Sequence, residues 1–260
     1  MSGFKIAALY GIYPHKLGFC GPTKKSTYSQ IYDFLLGKKV FQKEIRKILE
    51  DFKGAFFYYK LIAESNKIKD PFDEKVVKAY WIGNNLLEKV KTGDLRKMIA
   101  RDFSKPGLLS KKIAFKKAKE IPKGSKPHHS FHVLVIGSVA KKVKLEGKKL
   151  DLCRIGWGRI IRKLKNNPTG SLSFRSIQEN SKFKIVVKYQ PLVTQNKNFR
   201  LGKPVKKEIF WDKNLVPKIK IGDWVSFHWD HLIQKLKKGE VENLKKYTSF
   251  TLKLLESILK

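Results

Sequence analysis

Apolar residues recur at helical spacing through the first 120 residues of the chain. They share one helix face across 45–63, which predicts one long helix that ends near Asn66. Asp73 is suited to cap the next helix, because its carboxylate can accept from the free N–H groups of a first turn. Shorter helices are predicted at roughly 93–103 and 109–119. The N-terminal part of the chain is therefore predicted to be helical.

Beyond residue 127 the apolar pattern changes to a period of two, which is typical of strands. Strands are predicted at 131–139, 143–145, 150–155, 171–177, 183–187, 208–211 and 219–229. Short strands without intervening helices favour a small closed barrel over a parallel sheet. The segment 240–259 returns to helical spacing and predicts a C-terminal helix.

A lysine-rich segment separates the two patterns. The stretch 111–126 contains seven Lys and has the composition of a linker. We therefore predict a helical domain over 1–120, a basic linker over 121–127, and a barrel domain with its C-terminal helix over 128–260.

The charge balance suggests an anionic partner. The chain has 57 Lys and Arg against 22 Asp and Glu, for a formal net charge of +35. Such an excess is typical of proteins that bind nucleic acid, anionic membranes or acidic partners. Only eight of the 57 are Arg, the residue that contacts bases and phosphates in bidentate fashion. The Lys excess is therefore compatible with compositional bias as well as with a binding face.

Composition also limits the class of protein. With 42% hydrophobic residues the chain can form a packed core and is not a disordered protein. It has two cysteines, Cys20 and Cys153, which form no Cys-x-x-Cys unit and no disulfide framework. No run approaches the ~18 apolar residues of a membrane-spanning helix. These features lead us to expect a soluble protein of the reducing cytosol.

The histidines are few and clustered. Of six in the chain, three lie in the segment 127–132, and two others are His228 and His231. If a turn lets His129 and His132 converge with a neighbouring strand, two or three imidazoles would suit zinc, iron or nickel. The alternative is a set of histidines that bond to backbone at a domain boundary. His228 lies in an aromatic run, so we expect it to be partly buried and held in place.

Each cysteine has two interpretations. Cys153 is followed by Arg154, which could lower the pKa of the thiol and favour a metal-binding thiolate. Cys20 lies in the segment 11–22, whose three Gly and two Pro predict a loop that could present a thiol to an ion. For both residues the commoner alternative is an inert, packed thiol.

Familiar catalytic motifs are missing from the sequence. It has no phosphate-binding Gly-x-x-x-x-Gly-Lys-Ser/Thr, no Gly-x-Gly-x-x-Gly, no His-Glu-x-x-His and no Gly-x-Ser-x-Gly. A general base such as His228 would lack a recognisable partner set. The sequence therefore favours an accessory protein over an enzyme, without deciding between them.

The segment 219–255 resembles the second half of the small hydrogenase assembly chaperones of the HypC/HupF type. The matching residues are Gly222, Asp223, Trp224, Val225, His228, Ile233, Lys235 and Leu236. That family is a small five-stranded barrel that passes an iron-containing precursor between maturation factors. Proteins of that family use an N-terminal cysteine, and a histidine in the strand that matches 222–228 lies near it. The resemblance implies that His228 is the equivalent histidine and that 131–139 is the first strand.

The chain departs from that family at the essential N-terminal cysteine, where it has Ser130, Phe131 and His132. Either Cys153, Cys20 or the histidines take over the ligand role, or the fold is kept without the chemistry. Taken as a whole, the chain also resembles a bacterial and archaeal family known only as a domain of unknown function. The segments 80–84, 129–133 and 153–157 carry that second resemblance.

Together these observations predict an α+β fold in which a helical N-terminal domain precedes a small antiparallel β-barrel, OB-like or HypC-like, closed by a C-terminal helix. The predicted function is a non-catalytic accessory protein that binds a metal or metal precursor, or docks a metalloenzyme or maturation factor. Its candidate ligands are His228, His132, His129 and Cys153. The alternative is a nucleic-acid-binding module that uses barrel aromatics and the Lys-rich surface.

Overall fold

The computed structural model describes residues 1–24, 26–140, 142–164, 182–195 and 198–258. Its N-terminal part is helical, as predicted. The helices are α1 (Gly3–Lys16), α2 (Thr27–Leu35), α3 (Gln42–Glu50), α4 (Lys53–Ser65), α5 (Glu74–Trp81), a 3-10 turn (Asn85–Lys89), α6 (Thr92–Asp102) and α7 (Lys111–Glu120). The side chain of Asp73 caps α5 by accepting from the backbone N–H of Lys75, and α4 is followed by Asn66 as its C-cap, as predicted.

The prediction of one long helix over 45–63 is wrong in one respect, because the segment is divided between α3 and α4. The chain bends at Asp51 and Phe52, and Phe52 turns inward. Its ring lies so close to Gly11 that a Cβ on that glycine would be 2.9 Å away. The gain from burying an aromatic ring against α1 outweighs continuation of the helix.

The segment 11–22 is a loop only from residue 17 onwards, so its prediction as a loop is wrong for 11–16 and correct for 17–22. Helix α1 extends to Lys16 and contains Pro14. Twelve of its fourteen residues are buried, which makes it a central helix with neighbours on nearly every side. Tertiary packing therefore overrides the local tendency of Gly and Pro to end a helix.

A five-stranded barrel forms the second part. Its strands are β1 (Gly156–Lys163), β2 (Lys182–Tyr189), β5 (Val205–Asp212), β6 (Trp224–His228) and β7 (His231–Lys235), in the closed order β1-β2-β5-β7-β6. A separate hairpin consists of β3 (Leu192–Gln195) and β4 (Asn198–Leu201). The β5–β7 pair is parallel and the other barrel pairs are antiparallel. This is the five-stranded Greek-key arrangement of OB-like barrels.

Helices and barrel occur together as an α+β fold, as predicted. Helix α10 (Lys238–Ile258) follows the last strand and packs on the helical part. One cluster of buried apolar residues includes Phe4 of α1, Ile160 and Val225 of the barrel, and Tyr247 of α10. The division of the chain at 121–127 stays a prediction.

Three predicted strands are wrong. The segment 131–139 forms the end of the short helix α8 (His129–Phe131) and a π-helical turn (His132–Ile136), and 150–155 lies largely in helix α9 (Lys148–Cys153). No strand forms at 143–145. Residues 128–133 are buried on every side, and an apolar run of that kind fits a buried helix as well as a strand. The predicted strand 171–177 lies outside the described residues.

Tyr247 of α10 provides a test of how the C-terminal helix is attached. Its hydroxyl donates to the Asn84 carbonyl at 2.8 Å, and a Cβ on Gly83 would lie 2.1 Å from its ring. Gly83 also has a φ of +94°, a region that L side chains rarely adopt. We expect Gly83→Ala to lower the free energy of unfolding by about 2 kcal/mol or more, measured by urea denaturation.

The matched control for that substitution is Gly93→Ala in helix α6. A Cβ on Gly93 meets nothing within 4 Å. This change should raise the free energy of unfolding by roughly 0.5–1 kcal/mol, because alanine restricts the unfolded chain and favours the helix. Equal effects at the two glycines would contradict the packing of Tyr247 described here.

Candidate metal centre

A cavity of about 240 Å³ lies where the helical part meets the closed end of the β6–β7 hairpin. Most of its wall is apolar, and its ionisable lining residues are Cys20, Asp51, Lys53, Tyr80, His129, His132, Lys142, Cys153 and His228. All four predicted ligands therefore contribute to one cavity. They come from α8, the π-helical turn, α9 and β6, which are distant in sequence.

Three of these side chains converge. One ligand atom from each of His129, Cys153 and His228 lies within 4.8 Å of the other two. All three residues are buried, with exposed fractions of 4%, 6% and 2%. The imidazole rings of His129 and His228 have centroids 5.3 Å apart. Two nitrogen donors and one sulfur donor thus face a common point.

The orientation of His228 follows from a proline in α1. The carbonyl of Tyr10 would normally accept from the N–H four residues later, but that residue is Pro14, which has none. His228 Nδ1 supplies the missing donor, at 2.9 Å from the Tyr10 oxygen. Because a carbonyl can only accept, Nδ1 carries the proton and Nε2 carries a lone pair. His228 Nε2 is buried without a hydrogen-bond partner.

Tyr10 also contacts the barrel through its hydroxyl, which lies 2.9 Å from Ser226 Oγ. Helix α1 is therefore bonded to β6 at two points, one through a backbone carbonyl and one through a side chain. These contacts fix the position and orientation of the His228 ring in the cavity wall.

His129 lies in a hydrogen-bonded chain with Tyr80. Its Nε2 is 2.8 Å from the Cys153 carbonyl, its Nδ1 is 3.0 Å from the Tyr80 hydroxyl, and that hydroxyl donates to the Gly54 carbonyl at 3.0 Å. With a proton on Nε2, the single Tyr80 proton is shared between two acceptors. With a proton on Nδ1, the contacts through Tyr80 to Gly54 are satisfied, but the Nε2 lone pair would face the Cys153 carbonyl oxygen at 2.8 Å, and two acceptors repel each other. The geometry therefore favours the first tautomer, in which Nε2 donates to the Cys153 carbonyl, and metal binding at Nε2 would require that hydrogen bond to open.

Cys153 is held at the end of α9 by contacts on both sides. Next to it, the Leu152 carbonyl accepts from the backbone N–H of Trp229, at 2.9 Å. Trp229 and Asp230 form the two-residue β6–β7 turn and have φ values of +50° and +60°. This geometry belongs to a type I′ hairpin, although a bulky Trp rarely adopts it. The strained turn thus ties the end of β6 to the segment that carries the thiol.

Arg154 stabilises the same segment rather than activating Cys153. The guanidinium is almost fully buried, and its Nε donates to Asp151 at 2.8 Å. Asp151 also accepts from the Tyr189 hydroxyl at 2.9 Å and from the backbone N–H of Leu192 at 2.7 Å. The prediction that Arg154 lowers the pKa of Cys153 is wrong: burial raises the pKa of this thiol well above its ordinary value.

The protonation states at neutral pH follow from burial. Burial lowers the pKa of His228 to about 4, against smaller opposing contacts with the Tyr10 and Cys153 carbonyls. Burial, together with the nearby His228 and His132, holds the pKa of His129 well below its usual range. The centre therefore has two neutral imidazoles and one thiol at pH 7, so its donor atoms are available without loss of a histidine proton.

His132 and Cys20 line the cavity but do not belong to the group of three. His132 Nδ1 lies 3.2 Å from the Tyr58 hydroxyl, and its ring centroid is 6.1 Å from that of His129. Because 129–136 is helical, His129 and His132 share a face, whereas a strand would have separated them. Cys20 is partly exposed, and burial raises the pKa of its thiol to about 11.

His231 and Asp230 lie outside the centre. His231 is the first residue of strand β7, and its ring stacks on Tyr13 with ring centroids 3.9 Å apart. Asp230 pairs with Lys207 at 2.6 Å rather than with either neighbouring histidine.

A family model covers residues 1–260 of the chain. The chain belongs to DUF6390, a family of unknown function. Neither the curated proteins nor the solved structures include a significant match. Membership confirms the expected resemblance to an uncharacterised family. The likeness to hydrogenase assembly chaperones stays an expectation, and its proposed first strand, 131–139, is helical in this DUF6390 chain. No helix among the described residues is long and apolar enough to cross a bilayer.

Sequence reasoning missed the residues that orient the donors, chiefly Tyr10, Pro14 and Tyr80. The sequence shows Pro14 as a helix-breaking residue. A proline inside a helix leaves the carbonyl four residues earlier without its usual N–H donor, and that was the available clue. The donor that replaces it, His228, lies 218 residues from Tyr10 in the sequence. Its identity therefore depends on tertiary structure.

The buried histidines make stability depend on pH. Burial lowers the pKa of His128 and His132 to about 3 and that of His228 to about 4. Below pH 6.5 the unfolded chain takes up protons at these residues while the folded chain does not. Stability is therefore full above pH 6.5 and falls on acidification, by up to about 1.4 kcal/mol per pH unit for each histidine.

Urea denaturation between pH 7.5 and about 4.5 would measure this slope. As a control, His128→Asn keeps the side-chain acceptor for the Ser130 N–H and removes one titrating ring. This variant should show a shallower slope than the native chain. A free energy of unfolding that stays constant between pH 7 and 5 would contradict the burial of neutral histidines.

Proposed function

We propose that this DUF6390 chain is a non-catalytic accessory protein that binds a transition-metal ion or metal precursor through His129, Cys153 and His228. The observation that supports the proposal is the buried His228 Nε2, which has no hydrogen-bond partner, on a side chain whose ligand atom lies within 4.8 Å of ligand atoms of His129 and Cys153. A cation bound here would give His228 Nε2 a partner and could take the Cys153 thiolate and the His129 imidazole as further ligands.

The donor set favours iron, nickel or zinc. Imidazole suits all three, and thiolate favours zinc and iron over hard cations such as Mg²⁺ and Ca²⁺. Metal–nitrogen and metal–sulfur bonds of about 2.0 and 2.3 Å require the donors to close in slightly from their present separation of up to 4.8 Å. That closure would require movement of the Cys153 and His129 side chains and release of His129 Nε2 from the Cys153 carbonyl.

The cavity supports a transfer or docking role. Three protein donors would leave a coordination position open to a further ligand, and the cavity beside them has a volume of about 240 Å³. A ligand that arrives with the metal, or a side chain of a metalloenzyme client, can occupy that position. A specific part in hydrogenase maturation depends on the residues that resemble the assembly chaperones, chiefly 222–236.

Metal analysis of the purified chain tests the proposal. We expect about one zinc, nickel or iron per chain, with release of about one proton on binding, because Cys153 is the only protonated donor at pH 7. Cys153→Ser and His228→Gln should lower metal affinity by tenfold or more and remove the thermal stabilisation that the metal provides.

Two matched variants serve as controls. Cys20→Ser and His132→Gln change the same residue types in the same cavity, but outside the converging group, and should keep stoichiometric metal. Loss of metal in Cys20→Ser but not in Cys153→Ser would show that Cys20, and not Cys153, supplies the thiol ligand. A chain that takes up no metal at micromolar concentrations would refute the proposal.

A further inference from the structure

The outer face of the barrel carries an unbroken row of exposed residues across four neighbouring strands. Trp224 of β6 is in register with Arg159 of β1, Arg159 with Lys188 of β2, and Lys188 with Lys206 of β5. Residues in register point to the same side of a sheet. All four are exposed, Trp224 by 39%. At a strand spacing of ~4.8 Å the row is about 14 Å long.

The cations in this row have no acidic partners. Ion pairs among the described residues include none that involves Arg159, Lys188 or Lys206. Arg159 donates from Nε to the Gly222 carbonyl at 3.0 Å, which leaves its charge uncompensated. Like charges directly opposite one another destabilise a sheet. An anion bound above the row would relieve that repulsion.

Aromatic rings lie at both ends of this face. Trp224 ends the row at β6, and Phe210 of β5, which is 38% exposed, lies two positions along the same side from Glu208. Lys184, in register with Phe210, lies 5.7 Å from its ring and pairs with Glu208 at 3.4 Å. Glu208 is an exposed acidic residue of this face, whereas Asp212, further along the same side of β5, is buried and accepts from the Tyr32 hydroxyl. The face thus combines excess positive charge with exposed π surfaces.

We propose that this face binds single-stranded nucleic acid, with Arg159, Lys188 and Lys206 contacting phosphates and Trp224 stacking on a base. A row of cations without ion-pair partners fits contact with phosphates. An exposed indole beside that row fits stacking on a single-stranded base, because a duplex hides its base faces. The surface is separate from the cavity of His129 and His228, so the inference does not depend on metal binding.

Lys188→Glu provides a sharp test. The new carboxylate would lie between Arg159 and Lys206, so it should form cross-strand ion pairs and keep or raise the melting temperature. The same change should weaken binding of a labelled oligothymidylate of about 12 nucleotides roughly tenfold, measured by fluorescence anisotropy at about 50 mM salt. It should also lower the slope of log affinity against log salt by about 1.

The matched control is Lys112→Glu on α7, which makes the same charge change at an exposed position outside the barrel. It should alter affinity less than twofold. Trp224→Leu leaves the charge unchanged and should weaken binding roughly fivefold or more through loss of stacking. This second variant keeps the test valid even where Lys188→Glu disturbs folding.

Three results would overturn the inference. One is the absence of oligonucleotide binding by the native chain at low salt. Another is an equal loss of affinity in Lys112→Glu and Lys188→Glu, which would mean that net charge alone governs binding. The third is competition by polyglutamate as strong as that by oligonucleotide, with no effect of Trp224→Leu, which would assign the face to an acidic protein.

Discussion

The hydrogen bond from His228 Nδ1 to the Tyr10 carbonyl is the interaction on which the arrangement around the cavity depends. It exists because Pro14 has no N–H to offer that carbonyl, so a buried acceptor in the central helix must find its donor elsewhere. The barrel supplies the donor, and the bond fixes both the position of β6 against α1 and the tautomer of His228. A local defect in one helix thereby determines the chemistry of a residue far along the chain.

Other contacts around the cavity follow the same logic of satisfying buried polar groups. Tyr80 connects His129 to the Gly54 carbonyl, and Asp151 connects Arg154 to Tyr189 and to the hairpin β3–β4. Each such network is costly unless all its members are bonded. Among the residues that line the cavity, His228 Nε2 and Trp229 Nε1 are buried without a hydrogen-bond partner, and the proposed cation would give the first of them one.

The sequence predicted the order of helices, barrel and closing helix, because periods of 3.6 and two are strong over α4, α5, β2 and α10. It also selected four side chains of the cavity lining, because histidines and cysteines are few in the chain. It failed over 129–136 and 150–155, where nearly every side chain is buried and no period distinguishes helix from strand. It could not find the partners Tyr10 and Tyr80, because those contacts are made only after the barrel docks on α1.

X-ray absorption spectroscopy of the zinc-loaded chain would identify the atoms bound to the ion. Coordination by His129, Cys153 and His228 should give one sulfur at about 2.3 Å and two imidazole nitrogens at about 2.0 Å, with the sulfur contribution lost in Cys153→Ser. A shell of oxygen and nitrogen alone in the native chain, or an unchanged sulfur contribution in that variant, would contradict it.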